Sequence, residues 1–434
     1  MTLAAWPTYD NYKESGVEWI GEVPADWRVE PGRQCLYENK DKNTGMKEST
    51  VLSLSYGRVI VKDEDKLTGL VPESFETYQI VQPGDIIIRG TDLQNDMTSL
   101  RTGLARDTGI ITSAYINLRP KAEIDPAFLH YLLHSYDVKK VFYALGSGLR
   151  QNLSYDDFKY LRLPIPSPEE QRAIAAFLDE KCAKVDEAVR IKEEQIALLR
   201  ERRQILIQQA VTRGLNPSAP MKDSRIDWIG QIPAHWEVKR LKHLGNAVIG
   251  LTYDPKDLCD EDEGTLVLRS SNLKSGKFVY GDGLNAYVRM RIPEKLRIRA
   301  NDILICSRNG SRDLIGKCAL ATHDDTGASF GAFTTVFRSE MNRYIFQILN
   351  SEIFRMLAGS FLTATINQLT TSNLNSISVP IPPPEERQAL TEHLEGLNGE
   401  YDRAISFKED QIAALKEYKT SLINAAVTGK IKVA

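Results

Sequence analysis

The amino-acid sequence predicts an α+β protein made of two mixed α/β heads, each followed by a long heptad helix. Three observations carry this: two motifs recur along the chain, each head alternates β-like runs with a helix, and each head runs into a stretch almost free of Pro and Gly. Glu14 to Trp27 reads ESGVEWIGEVPADW, and 209 residues later Asp223 to Trp236 reads DSRIDWIGQIPAHW. LPIPSPEEQRAI from Leu163 returns as VPIPPPEERQAL from Val379, at an offset of 216 that persists from Gln195 to Gln411 and from Ala210 to Ala426. Self-similarity of this kind marks a duplicated architecture. The ends of the two copies match and the middles have drifted. The expected division is a first head at 1–163, a first helix at 164–215, a second head at 216–379 and a second helix at 380–434.

In the first head, VLSLSYGRVIV from Val51, YQIVQPGDIIIRG from Tyr78 and GIITSAYINLRP from Gly109 read as strands bounded by Gly and Pro. Asp125 is an N-cap with Pro126 at the first helical position, and the helix it opens is expected to run to Leu145. The second head supplies TLVLRSSNL, NDILICSRNG and GAFTTVFR as strands and RYIFQILNSEIFRMLAG as its helix.

In the first long segment, Leu178, Cys182, Val185, Val189, Lys192, Ile196, Leu199, Arg203, Leu206 and Ala210 alternate spacings of four and three. Leu394, Asn398, Tyr401, Ile405, Lys408, Ile412, Leu415, Lys419, Leu422 and Ala426 repeat them in the second. Sustained a/d spacing of this length is a coiled-coil seam. Pro168 to Val211 would be roughly 65 Å of helix at about 1.5 Å per residue, closed by Asn216, Pro217 and Pro220. The two helices could pair antiparallel with each other or each serve as a dimerisation helix. Both seams carry basic residues at the same two positions, and polar seam residues commonly specify register.

A chain of 434 residues suits two or three domains, and 42% hydrophobic with 26% charged residues is ordinary for a globular protein. No run of about 18 apolar residues occurs and the N-terminus lacks a signal pattern, so no membrane association and a cytoplasmic location are expected. Five cysteines without a C-x-x-C pair read as reduced thiols. The net charge of −3 argues against nucleic acid at first sight. The charge is uneven, about −5 over residues 1–160 and about +3 over residues 216–376.

The drifted loops are rich in side chains that suit base edges and phosphates. The DNA-binding candidates in the first head are Arg58, Lys62, Arg89, Gln94, Asn95, Arg101, Arg106, Arg150, Gln151 and Asn152. Those in the second are Arg269, Asn272, Lys274, Lys277, Arg308, Asn309, Arg312, Lys317, Thr365, Asn367 and Gln368. An ordinary polar loop would carry the same residue types.

Catalytic signals are weak. His130 and His134 have metal-ligand spacing, but the intervening Glu of a zinc protease is absent and Phe346 and Asn350 stand at the matching positions, which favours a packed pair. GSRDLIGKC from Gly310 has five residues between its glycines and a Cys where a phosphate loop needs Ser or Thr, so it reads as a strand-joining loop, with Lys317 a candidate for a phosphate. No metal site and no catalytic residue is expected.

YKESGVEWIGEVPADW, RPKAEIDPAFLHYLLHS and PIPSPEEQRAIAAFLDEKCAKVDEAV, with their second copies, resemble the specificity subunit of a Type I restriction–modification system over essentially the whole chain. The resemblance implies two target recognition domains, each reading one half of a gapped double-stranded DNA site, and two helices forming an antiparallel coiled coil that sets the gap. It also implies two adenine methyltransferase subunits and two translocase/nuclease subunits as partners. S-adenosylmethionine, ATP and Mg would belong to those partners, with no cofactor and no catalysis in this chain. A scaffold that binds methyltransferase subunits without reading DNA would share the same motifs.

Overall fold

The computed structural model describes residues 6–62, 74–93, 100–145, 152–361 and 367–433. The chain forms two compact units, Met1–Glu193 with Glu409–Ala434, and Glu194–Lys408. Each unit therefore contains one head and a segment of both long helices, which span Pro168–Arg213 and Pro384–Val427.

In the first unit the central sheet is antiparallel in the order Leu36–Glu38, Ile116–Pro120, Ile86–Ile88, Thr102–Leu104. In the second the corresponding order is Asn246–Ile249, Thr334–Arg338, Ile303–Cys306, Cys318–Leu320. A buried ion pair ties the same two strands in each: Asp85 with Arg119 at 2.6 Å, and Asp302 with Arg338 at 2.9 Å. Such pairs depend on good geometry to offset desolvation, and both arginines meet their carboxylate through two nitrogens.

Asp125 caps the helix Pro126–Val138, accepting from the Phe128 amide at 2.9 Å. Its apolar face, Phe128, Leu129, Leu132 and Leu133, packs with Ile86, Ile88 and Leu118 of the sheet and with Leu422, Ala426 and Val427 of the second long helix. In the second unit Ile303, Leu304 and Phe337 of the sheet share a core with Ile345, Leu349, Ile207 and Val211. The last turns of each long helix thus belong to the core of the head that contains the other copy's motifs.

Several local expectations are corrected. The helix expected to reach Leu145 ends at Val138, where Lys140 turns left-handed (φ 61°) and a 3₁₀ turn at Val141–Ala144 brings Phe142 into the core. The helix expected over 343–359 is two, Asn342–Leu349 and Glu352–Ser360, because Ser351 leaves helical geometry and its hydroxyl caps the second by accepting from the Phe354 amide at 3.3 Å. The runs from Val51, Tyr78 and Gly109 each fold as two strands. The first is a hairpin, Leu52–Ser55 with Arg58–Val61, turning at Tyr56 and Gly57 with positive φ at both. The first long helix is terminated by Gly214 (φ +72°) rather than by Asn216 and Pro217, a left-handed end that glycine adopts without steric cost.

The long helices pair antiparallel within each unit. In the first, Lys419 meets Asp186 at 2.7 Å and Lys192 donates to Gln411 at 2.7 Å; in the second, Arg203 meets Asp402 at 2.9 Å and Lys408 donates to Gln195 at 2.7 Å. These are the same two contacts made with the copies exchanged, because Asp186 and Asp402, Lys192 and Lys408, Gln195 and Gln411, and Arg203 and Lys419 are all 216 apart. Along the seam Leu178, Val185, Val189, Ile196, Leu394, Ile405 and Leu422 are buried. Leu199, Leu206, Tyr401, Ile412 and Leu415 are half-buried, and Ile207 takes the deeper place beside Leu206.

Candidate nucleic-acid interface

The matched motifs converge on one carboxylate per unit. Trp27 is 1% exposed and donates from Nε1 to Glu170 at 3.1 Å, while the fully buried Trp236 donates to Glu386 at 3.0 Å. Each Glu lies in the first turn of its long helix, where the helix dipole favours negative charge. The copies differ in the second donor, the Tyr9 hydroxyl at 2.5 Å on Glu170 and the His235 ring at 2.7 Å from Glu386. Burial and the Glu170 hydrogen bond push the Tyr9 hydroxyl's pKa well above its usual value.

At the end of the central strand the heads diverge. In the second, strand Ile303–Cys306 delivers a turn whose Ser307 and Arg308 amides both donate to the Phe333 carbonyl, at 3.0 and 2.9 Å. The Leu369 amide donates to the Ser307 carbonyl at 2.8 Å, and Arg308 forms a β-bridge with Gln368. Asn309 donates to the Ser270 hydroxyl at 3.0 Å, beside Arg269, and Asn367 donates to the Gly310 carbonyl at 3.2 Å. Six candidates, Arg269, Arg308, Asn309, Arg312, Asn367 and Gln368, are therefore brought to one loop cluster. Their states differ. Arg269 spends a nitrogen on the Leu284 carbonyl at 2.7 Å and Arg312 one on Gly359 at 3.2 Å, whereas the exposed Arg308 guanidinium lies over the Phe333 ring at 5.3 Å.

The remaining candidates of this head lie apart or are enclosed. Lys274 and Lys277 sit on a small hairpin, where Lys277 reaches Asp402 at 3.2 Å. Lys317 is half-buried in the loop joining Ile303–Cys306 to Cys318–Leu320. Asn272 corrects an expectation: it is fully buried, accepting from the Arg269 amide and donating to the Val279 carbonyl, so it holds the turn and is closed to a ligand.

In the first head the same closure is made by the Leu153 amide on the Gly90 carbonyl, at 2.7 Å. Arg89 is half-buried at that strand end, and Asn152 accepts from the Asp92 amide at 2.9 Å. Arg58 and Lys62 are exposed on the hairpin, with Arg58 3.4 Å from Asp186, and Arg106 is exposed. Arg101 is the second correction. It is fully buried, its guanidinium donating to the carbonyls of Arg89, Thr91 and Asp92 and to the Tyr143 hydroxyl, so it ties the strand end together and cannot reach a base. Gln94, Asn95, Arg150, Gln151 and Thr365 lie outside the described residues.

His130 and His134 pack with ring centroids 6.1 Å apart, and burial lowers their pKa values to about 3 and about 4. Among the described residues no group of three or more His, Cys, Asp or Glu side chains is arranged to hold a metal, and no helix is long and apolar enough to cross a membrane. Two residues of the second head's cluster were not legible as site residues: Ser270, and Phe333, whose only signal is a large aromatic beside Gly331 and Ala332 at the start of a strand.

Residues 83–199 and 233–417 match the family model described as the Type I restriction modification DNA specificity domain. The type I restriction enzyme MjaVIII specificity subunit of Methanocaldococcus jannaschii is 27% identical over 345 residues, 75% of each chain. The MjaIX specificity subunit of the same organism is 19% identical over 455 residues, covering 100% of this chain and 99% of that one. Among solved structures, a chain from "Structural basis underlying complex assembly and conformational transition of the type I R-M system" superposes with a TM-score of 0.68 at 16% identity, over 93% of this chain and 98% of that one. The fold is shared.

Proposed function

Because the chain belongs to the Type I restriction modification DNA specificity family, whose named relatives are specificity subunits, we propose that it supplies DNA sequence recognition to a restriction–modification complex, each head reading one half of a gapped bipartite site. The observation that carries this reading is the divergence of the two heads on a common frame. Asp85–Arg119 and Asp302–Arg338 fasten the same strands, and the carbonyls of Gly90 and Ser307 close the same turn. The residues that follow are Thr91 and Asp92 in one head and Arg308 and Asn309 in the other. A frame kept while its tip changes suits two readers of different sequences.

The antiparallel helices set the gap and dock two adenine methyltransferase subunits, to which translocase/nuclease subunits add. S-adenosylmethionine, ATP and Mg act in those partners. The acidic first head is accommodated if the methyltransferase subunits neutralise most of the DNA phosphates, so the isolated chain binds DNA weakly and with steep salt dependence.

Mapping modified adenines in DNA from cells carrying this chain with its methyltransferase tests the reading. A two-part gapped motif is expected, and exchanging residues 237–364 for those of another such chain should change one half. A change in both halves would overturn the independent-reader assignment, and the absence of any motif despite methyltransferase binding would favour a scaffold.

A further inference from the structure

We infer that Arg308, held in cation–π contact with Phe333, is the base-reading side chain of the second head and recognises a guanine in the half-site which that head reads. The inference rests on the proposed function and names the residue and the base. Arg308 is exposed, and among the described residues no carboxylate pairs with its guanidinium. That sets it apart from Arg269 and Arg312, which donate to carbonyls, and from Arg338 and Arg289, which pair with Asp302 and Glu263.

The Arg308 backbone is fixed on two sides, by its amide on the Phe333 carbonyl and by the bridge to Gln368. Phe333 is 60% exposed, so its ring is not spent on the core and one face serves as a plate under the guanidinium. The cation–π contact restricts the guanidinium without using its N–H donors. An arginine edge so presented matches the O6 and N7 acceptors of guanine, the commonest specific side-chain contact in the major groove. The equivalent turn of the first head carries Thr91, so this reader belongs to the second head alone.

The test maps modified adenines in cells expressing the methyltransferase with the full-length chain or with Arg308→Ala, Arg308→Lys or Phe333→Ala. The expected motif contains a guanine in the half contributed by the second head. Arg308→Ala relaxes that position, lowering discrimination against other bases by roughly ten- to a hundredfold, and leaves the other half unchanged as the control for folding and assembly. Arg308→Lys and Phe333→Ala relax the same position, because a lysine lacks the planar fork and an arginine without the ring beneath it loses its orientation.

An unchanged motif in all three variants overturns the assignment. So does methylation that weakens uniformly with the motif intact and a shallower salt dependence, which marks a phosphate contact. No motif from the unaltered chain would instead fail the proposed function, and this assignment with it.

Discussion

The Trp27 indole donates to the Glu170 carboxylate at 3.1 Å across 143 residues of sequence, and Trp236 makes the same bond to Glu386. The two motifs that first reveal the duplication are thus the two halves of one contact, joining the entrance of each head to the start of its long helix. Glu170→Ala would leave a buried indole N–H and the Tyr9 hydroxyl without an acceptor. The expected loss is about 1–3 kcal/mol of stability, read by urea or thermal denaturation. Glu170→Gln keeps an acceptor oxygen and should recover most of it; equal losses in both variants would show that the hydrogen bond is not what stabilises the contact.

Gly214 and Gly429 both take left-handed conformations just beyond the long helices, with φ of +72° and +70°. A Cβ at Gly429 would come within 2.3 Å of Pro24, whereas at Gly214 its nearest neighbours, Glu386 and Trp236, are at 3.1 Å. Left-handed geometry alone costs a residue with a Cβ roughly 1–2 kcal/mol. Gly429→Ala should therefore exceed that penalty and Gly214→Ala should stay near it, as a comparison of denaturation midpoints would reveal.

Arg101→Ala separates a structural arginine from a ligand-facing one. Its guanidinium donates to three carbonyls and a phenol inside the first head, so its removal should cost about 3 kcal/mol. Arg106→Ala, at an exposed position, should change stability by less than about 0.5 kcal/mol. Similar melting temperatures for the two variants would contradict the buried assignment.

His130 and His134 should make the first unit acid-sensitive. Burial holds their folded pKa values at about 3 and about 4, below the roughly 6.5 of a free histidine. Between those values the unfolded chain binds protons that the folded chain excludes. Stability is therefore lost progressively as pH falls from about 6.5 towards 4. Replacing the pair by the second copy's residues, His130→Phe with His134→Asn, should flatten the thermal stability profile between pH 7 and 5. An unchanged slope would show that other groups carry the acid response.

The Lys419–Asp186 pair offers a check on helix orientation. With both side chains partly exposed, the coupling should be modest, about 0.5–1 kcal/mol. Asp186→Lys should destabilise and the exchange Asp186→Lys with Lys419→Asp should restore most of the loss, a recovery that a double-mutant cycle measures directly.

Duplication, the two α/β heads and the heptad helices were legible in the sequence alone, because each depends on periodicity or on comparing the chain with itself. The sequence also marked the basic seam residues Lys192, Arg203, Lys408 and Lys419, but their partners Gln411, Asp402, Gln195 and Asp186 came only with the antiparallel pairing. Tertiary structure decided what spacing cannot express. Lys140 and Ser351 end helices whose composition would continue them, because Phe142 and Phe354 have to enter cores assembled from distant segments. Arg101 and Arg308 are indistinguishable as loop arginines, yet one is enclosed by carbonyls from its own head and the other lies open on Phe333. That difference arises from hydrogen bonds and a cation–π contact between residues far apart in the chain, which form only when the sheet brings the loop ends together.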